Sequence, residues 1–156
     1  MEPLDLTTRP PRSPYEKMLG FFMLPRTIDK LRAMLPGGNL GSYNVGGSMK
    51  VLPGLSSVLL EGLGITQEQL RVVVGSAACE GEVSQWLKQN AELPDPEALN
   101  RKLMGRQVED LLALVPLEKL KNVYPFIDGL AESTPCFDVL LEDDRRQFPN
   151  YKWGTE

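Results

Sequence analysis

Proline and glycine set the first limit on how this chain folds. Pro10-Pro11 and Pro14 forbid helix near the start, because proline has no amide hydrogen to give and holds the residue before it extended. Pro36-Gly37-Gly38 stops the helix that Leu24, Ile28, Leu31 and Leu35 mark out from about Pro25 to Leu35. Residues 37 to 54 then hold six glycines, too many for a regular element, and read as a long loop. Gly64, Gly105 and Pro116 punctuate the rest. Only short elements fit between these breaks.

The segments between the breaks carry helical periodicity. Leu55, Val58, Leu59 and Leu63 form one stripe, closed by Gly64. Thr66 with Gln69 three residues on is a capping box ahead of Leu70, Val73 and Val74. Val83, Trp86 and Leu87 mark another helix, and Asp95-Pro96 starts one that carries Leu99 and Leu103. Val108, Leu111, Leu112 and Val115 precede Pro116, and Leu117 to Tyr124 turn helical again. Ser13-Pro14-Tyr15-Glu16 reads as a helix start of the same kind. Thr134 to Leu141 suits a short strand or an extended packing segment. The expected class is all-α: one compact domain of short amphipathic helices, a long Gly-rich loop, an irregular C-terminal segment and at most one short strand. The expected organisation is an extended Pro-rich lead over 1–12, a helical domain over 13–150 and a tail over 151–156. A chain of 156 residues can bury roughly 70% of its unfolded surface, so no metal or disulfide staple is needed.

The order of several short motifs resembles a bacterial family of roughly this length described only as a domain of unknown function. The match runs from Asp5-Leu6-Thr7 and Arg12-Ser13-Pro14 through Leu24-Pro25-Arg26 and Ile28-Asp29-Lys30 to Gly41 and Tyr43. It continues through Leu63-Gly64-Ile65-Thr66, Glu82-Val83, Trp86-Leu87 and Asn100 to Phe137-Asp138-Val139-Leu140 and Asp143-Asp144. Some members carry a cysteine-proline pair after the tyrosine; here Tyr43-Asn44-Val45-Gly46 stands, so no role for that cysteine transfers. The resemblance implies a compact helical protein and no particular activity.

Several chemistries are closed to this chain. It contains no histidine, which removes Ser-His-Asp and Cys-His catalysis and every histidine-bearing metal site. Gly41-Ser42-Tyr43-Asn44-Val45-Gly46-Gly47-Ser48 approaches a phosphate-binding loop, but Gly47 stands where the lysine must be and a helix precedes it. No cofactor signature appears. Cys79 and Cys136 lack metal or redox spacing and read as two ordinary, mostly buried thiols. Glu142, Asp143 and Asp144 lack a calcium-loop pattern and read as a solvated helix start rather than as Mg²⁺ ligands. Met18 to Leu24 is apolar but far too short for a bilayer, and prolines flank it, so the chain reads as soluble and cytoplasmic with no membrane partner.

What remains is an anion site. Residues 1 to 50 hold seven basic and four acidic side chains on a chain whose net charge is -4. The excess is too sparse for nucleic acid. Arg26 and Lys30, four apart, share a helix face; Asp29 orients a guanidinium; Tyr43 adds a hydroxyl from the loop; Arg9 or Arg12 folds back from the lead. The bland alternative is a surface ladder of Arg26, Asp29, Lys30 and Arg32 lying off the apolar stripe. The expected function is therefore binding of a small anionic ligand or a protein partner through the Arg26 helix and the Tyr43 loop. A histidine-free enzyme on a small anionic substrate is the alternative. A protein-interaction module using the lead and the Tyr151/Trp153 tail is the other.

Overall fold

The computed structural model describes residues 1–45 and 54–153. Part of the Gly-rich loop expected at 37–54, including its Gly46-Gly47-Ser48 stretch, lies outside the described residues. The chain is mostly helical. Leu24, Ile28 and Leu31 are fully buried, and the helix that carries them, α1 (Leu24–Ala33), sinks nearly all its residues into the interior. Around it lie α2 (Leu55–Gly62), α3 (Gln67–Ser76), α4 (Glu80–Asn90) and α5 (Pro96–Met104). α1 packs on α2 and α3, α3 on α4, and α2 on α5. Further along come α6 (Val108–Leu114), α7 (Leu117–Val123) and α8 (Cys136–Gln147).

Local chemistry accounts for the boundaries. Thr66 accepts from the Gln69 amide and the Gln69 side chain accepts from Thr66, the expected capping box of α3. Asp95 caps α5 through the Glu97 amide, with Pro96 in its first turn. Gly64 ends α2 with φ of 65°, and the Ile65 and Gly64 amides return to the Leu60 and Glu61 carbonyls. That crossed pair of bonds satisfies carbonyls a helix end would otherwise orphan.

No helix starts at Ser13. The Ser13 hydroxyl accepts from the Tyr15 amide and its carbonyl from the Glu16 amide, which closes a turn instead. A hairpin follows, β1 (Lys17–Met18) against β2 (Phe21–Phe22). Leu19 and Gly20 both take positive φ at its tip, the backbone that matches the twist of a two-residue hairpin. Asn100 on α5 accepts from the Phe22 amide and donates to the Gly20 carbonyl, pinning the hairpin down. Tyr15, Phe22 and Phe137 stack edge to face on one another above it.

The strand considered over Thr134 to Leu141 does not form either. Only Thr134-Pro135 is extended, pairing with Gln107-Val108, and α8 begins at Cys136. Phe137 and Asp144, seven apart, face the interior on one helical stripe. The acids at 142–144 therefore lie late in α8 rather than at a helix start, and Asp144 is wholly buried. Cys136 is buried, but Cys79 is exposed where the chain turns into α4; neither forms a disulfide.

The lead pairs with the body: Asp5 bridges Asn39, and Leu6 is buried with Ala33 and Tyr43. At the other end Tyr151 and Trp153 stack on each other. Among the described residues no helix is long and apolar enough to cross a membrane.

Candidate functional site

α1 is an apolar helix with a charged side. Arg26, Asp29 and Lys30 lie off the Leu24/Ile28/Leu31 stripe, which suggested a surface ladder; they are 1%, 2% and 7% exposed. Charged side chains are almost never this buried unless paired. The reason here is coverage: the lead, the Tyr43 segment and α8 close over that side of the helix.

Two of the three charges are paired. Arg26 reaches Asp144 through two bonds of 2.7 and 3.1 Å, and Asp144 also accepts from the Tyr43 hydroxyl at 2.7 Å. Arg26 donates further to the Arg12 carbonyl, and its guanidinium carbon lies 5.6 Å from the centre of the Tyr43 ring. Burial beside Asp144 raises the Tyr43 phenol well above its ordinary range, so it stays a donor. Asp29 accepts from the Arg12 amide at 2.8 Å and from the Arg12 guanidinium at 2.9 to 3.2 Å. Arg12 also meets Glu80. Asp29 thus orients Arg12 rather than Arg26, and Arg12 and Arg26 are held in two separate ion pairs.

Lys30 is different. Its ammonium donates to the Asn44 carbonyl at 2.9 Å and to the Ser56 hydroxyl at 3.3 Å, and Ser56 bonds Thr27 at 2.9 Å. These acceptors are neutral. Among the described residues Lys30 forms no salt bridge, and the segment 46–53 contains no acidic residue. Burial, reinforced by Arg26 one turn away and partly offset by Asp144, brings the Lys30 amine down to about 7.

Lys30 opens on a pocket of about 310 Å³. This is the low end of the ~300–1,000 Å³ typical of small-molecule sites. Its lining is mixed, with Leu111, Val139 and Leu140 from α6 and α8 among the apolar residues. Interspersed with these are polar lining residues: Lys30, Ser56, Arg106, Tyr124 and Asp143. Burial pushes the Tyr124 phenol up to about 12 and the Cys136 thiol, also on the wall, up to about 12, so both stay protonated near neutral pH. Burial likewise raises the Asp143 carboxyl above its ordinary range, against a bond from Gln147 that lowers it.

The structure thus brings all five expected residues into one region but divides their work. Arg26, Lys30 and Tyr43 line the pocket; Arg12 and Asp29 sit behind, bonded to each other. The residues sequence reasoning missed are Asp144, Ser56, Arg106, Tyr124 and Asp143. Asp143-Asp144 stood among the family-like motifs, a signal that was present and read as a solvated surface.

No curated protein matches the sequence. One family does, over residues 8–108, a stretch that begins in the lead, carries Arg12, Arg26, Asp29, Lys30 and Tyr43, and ends at the first residue of α6. Asp144 and the α8 wall lie beyond it. With well over half its length so matched, the chain belongs to the family described as a domain of unknown function, DUF5069.

Proposed function

We propose that this pocket binds a small organic anion, and that Lys30 is the side chain the anion meets. The observation that carries the reading is a buried ammonium whose hydrogen-bond partners are neutral. Burying a cation without an anion is costly, and an anionic ligand offsets that cost directly. Arg26 and Tyr43, which the sequence offered as ligand contacts, serve instead as scaffold: they hold Asp144, the α8 neighbour of the lining residue Asp143. The apolar lining residues Leu111, Val139 and Leu140 suit the hydrocarbon part of the ligand, so a short carboxylate fits better than bare phosphate.

The test is a thermal-shift and calorimetry series with pyruvate, lactate, malonate and phosphate on the whole chain, repeated on Lys30→Met. A ligand at about 100 times its Kd stabilises by ~2.7 kcal/mol, roughly 5–10 °C for a domain of this size. Carboxylates should shift the wild type and leave Lys30→Met unmoved. Above pH 7 binding should take up a proton, because the anion recharges the amine. Equal shifts in wild type and variant, or none with any anion, would reject this reading.

A further inference from the structure

We propose that Lys30 is a nucleophile, and that the pocket condenses its amine with the carbonyl of a small 2-oxo acid to form an imine. The inference rests on the anion-binding reading above and adds a covalent step to it.

Three features of the site carry it. The first is position. Lys30 lies on the pocket wall, fixed by two bonds to Asn44 and Ser56, and an amine bonded this way is aimed rather than waving on a flexible stem. The second is surroundings. The groups around the amine are Arg26 on its own helix, Asp143 and Asp144 on α8, Tyr43 beside it, and Tyr124, Arg106 and Cys136 around the pocket. Asp144 is committed to Arg26 and Tyr43, and among the described residues no carboxylate is bonded to Lys30 to hold its proton. With the amine brought down to about 7, roughly half carries a lone pair at neutral pH. An ordinary lysine is neutral in only about one molecule per thousand there. Desolvation beside another cation is the known way to activate a lysine amine. The third is competition. Cys136 shares the wall, but its thiol is held protonated and does not compete for the carbonyl.

The step balances without oxidant or reductant. The Lys30 lone pair attacks the carbonyl carbon, a C–N bond forms, and the carbonyl π pair moves to oxygen. A proton passes from nitrogen to that oxygen, giving a carbinolamine. The C–O bond then breaks, the nitrogen lone pair closes the C=N bond, and the second amine proton leaves with the hydroxyl as water. Asp143, which lines the same pocket and whose carboxyl burial raises, is the proton carrier. A 2-oxo acid suits the site because it joins a carboxylate, which the ammonium form of Lys30 attracts, to a carbonyl, which the neutral form of the same side chain attacks; both forms are present at neutral pH, and the apolar lining takes the short chain.

The experiment is reductive trapping at pH 7. The full chain is incubated with pyruvate and borohydride, and the intact mass and peptide map are read. The expected result is one adduct, of pyruvate less water plus two hydrogens, on the Lys30 peptide. It should be at least about tenfold more abundant than on any other lysine, suppressed by excess lactate, and absent from Lys30→Met. The wild-type peptide map assigns the site whether or not the variant folds. Pyruvate binding without an adduct would overturn the imine and leave the anion pocket standing. Neither binding nor adduct would overturn both. An adduct spread evenly over the lysines would also overturn the imine.

Discussion

Arg26 and Lys30 sit one turn apart on the same buried helix, and their surroundings give them opposite duties. Arg26 is neutralised by Asp144 in a fully buried pair. Removing one partner of such a pair leaves an uncompensated charge and costs ~3–5 kcal/mol. Asp144→Ala should therefore lower the melting temperature by roughly 10 °C; a change of only a degree or two in a thermal melt would refute the pairing. Lys30 predicts the reverse. Below pH 7 folded and unfolded chains both carry its proton, so the full cost of burying the charge is present. Between about 7 and its ordinary 10.5 the folded chain sheds a proton the unfolded chain keeps, and the stability this residue contributes rises with pH. Lys30→Met should gain most over wild type near pH 6, with the margin shrinking by pH 9. Melts showing the margin grow with pH would contradict this. None of it was legible at the residue scale, because charged residues on a helix face normally meet solvent. Arg26 finds its partner 118 positions away, a separation no spacing rule reaches.

At the scale of elements the sequence spoke more clearly. Helix α3 begins where Thr66 and Gln69 form a capping box, and α2 ends where Gly64 supplies a positive φ. Such signals are local, and no tertiary contact overrode them. Thr66→Ala should cost ~1 kcal/mol in chemical denaturation; no loss would mean the cap carries no weight. The hairpin was missed because Ser13-Pro14-Tyr15-Glu16 satisfies a helix-start pattern, while the decision rests on distant packing. Asn100 holds the hairpin at its tip and second strand, and Phe137 receives Tyr15 and Phe22. Gly20 sits at φ of 84° with Pro96 3.3 Å from where a Cβ would stand. Gly20→Ala should destabilise by ~1–2 kcal/mol, measured by denaturant melts; a neutral or stabilising effect would contradict the tip geometry. α8 was misread for the same kind of reason. Thr134-Pro135 is extended, as read, but the helix starts one residue later.

For the whole molecule, the polar side of α1 organises everything else. The lead covers it through Arg12, the Tyr43 segment and α8 cover it through Asp144, and the space left between α1, α6 and α8 is the pocket. A helical class and a cluster around Arg26, Lys30 and Tyr43 were readable from sequence; the pocket was not, because the lining from α6 and α7 had no motif and the α8 motif was read as a solvated surface. The central claim is that Lys30 is a buried amine held by neutral partners in that pocket. It is tested most directly by following the side-chain ammonium signals of isotope-labelled lysine by NMR across pH. The account predicts one lysine that titrates near 7, is absent from Lys30→Met, and moves upward when a small carboxylate binds. A titration in which every lysine, Lys30 included, keeps its charge to pH 9 and above would contradict it.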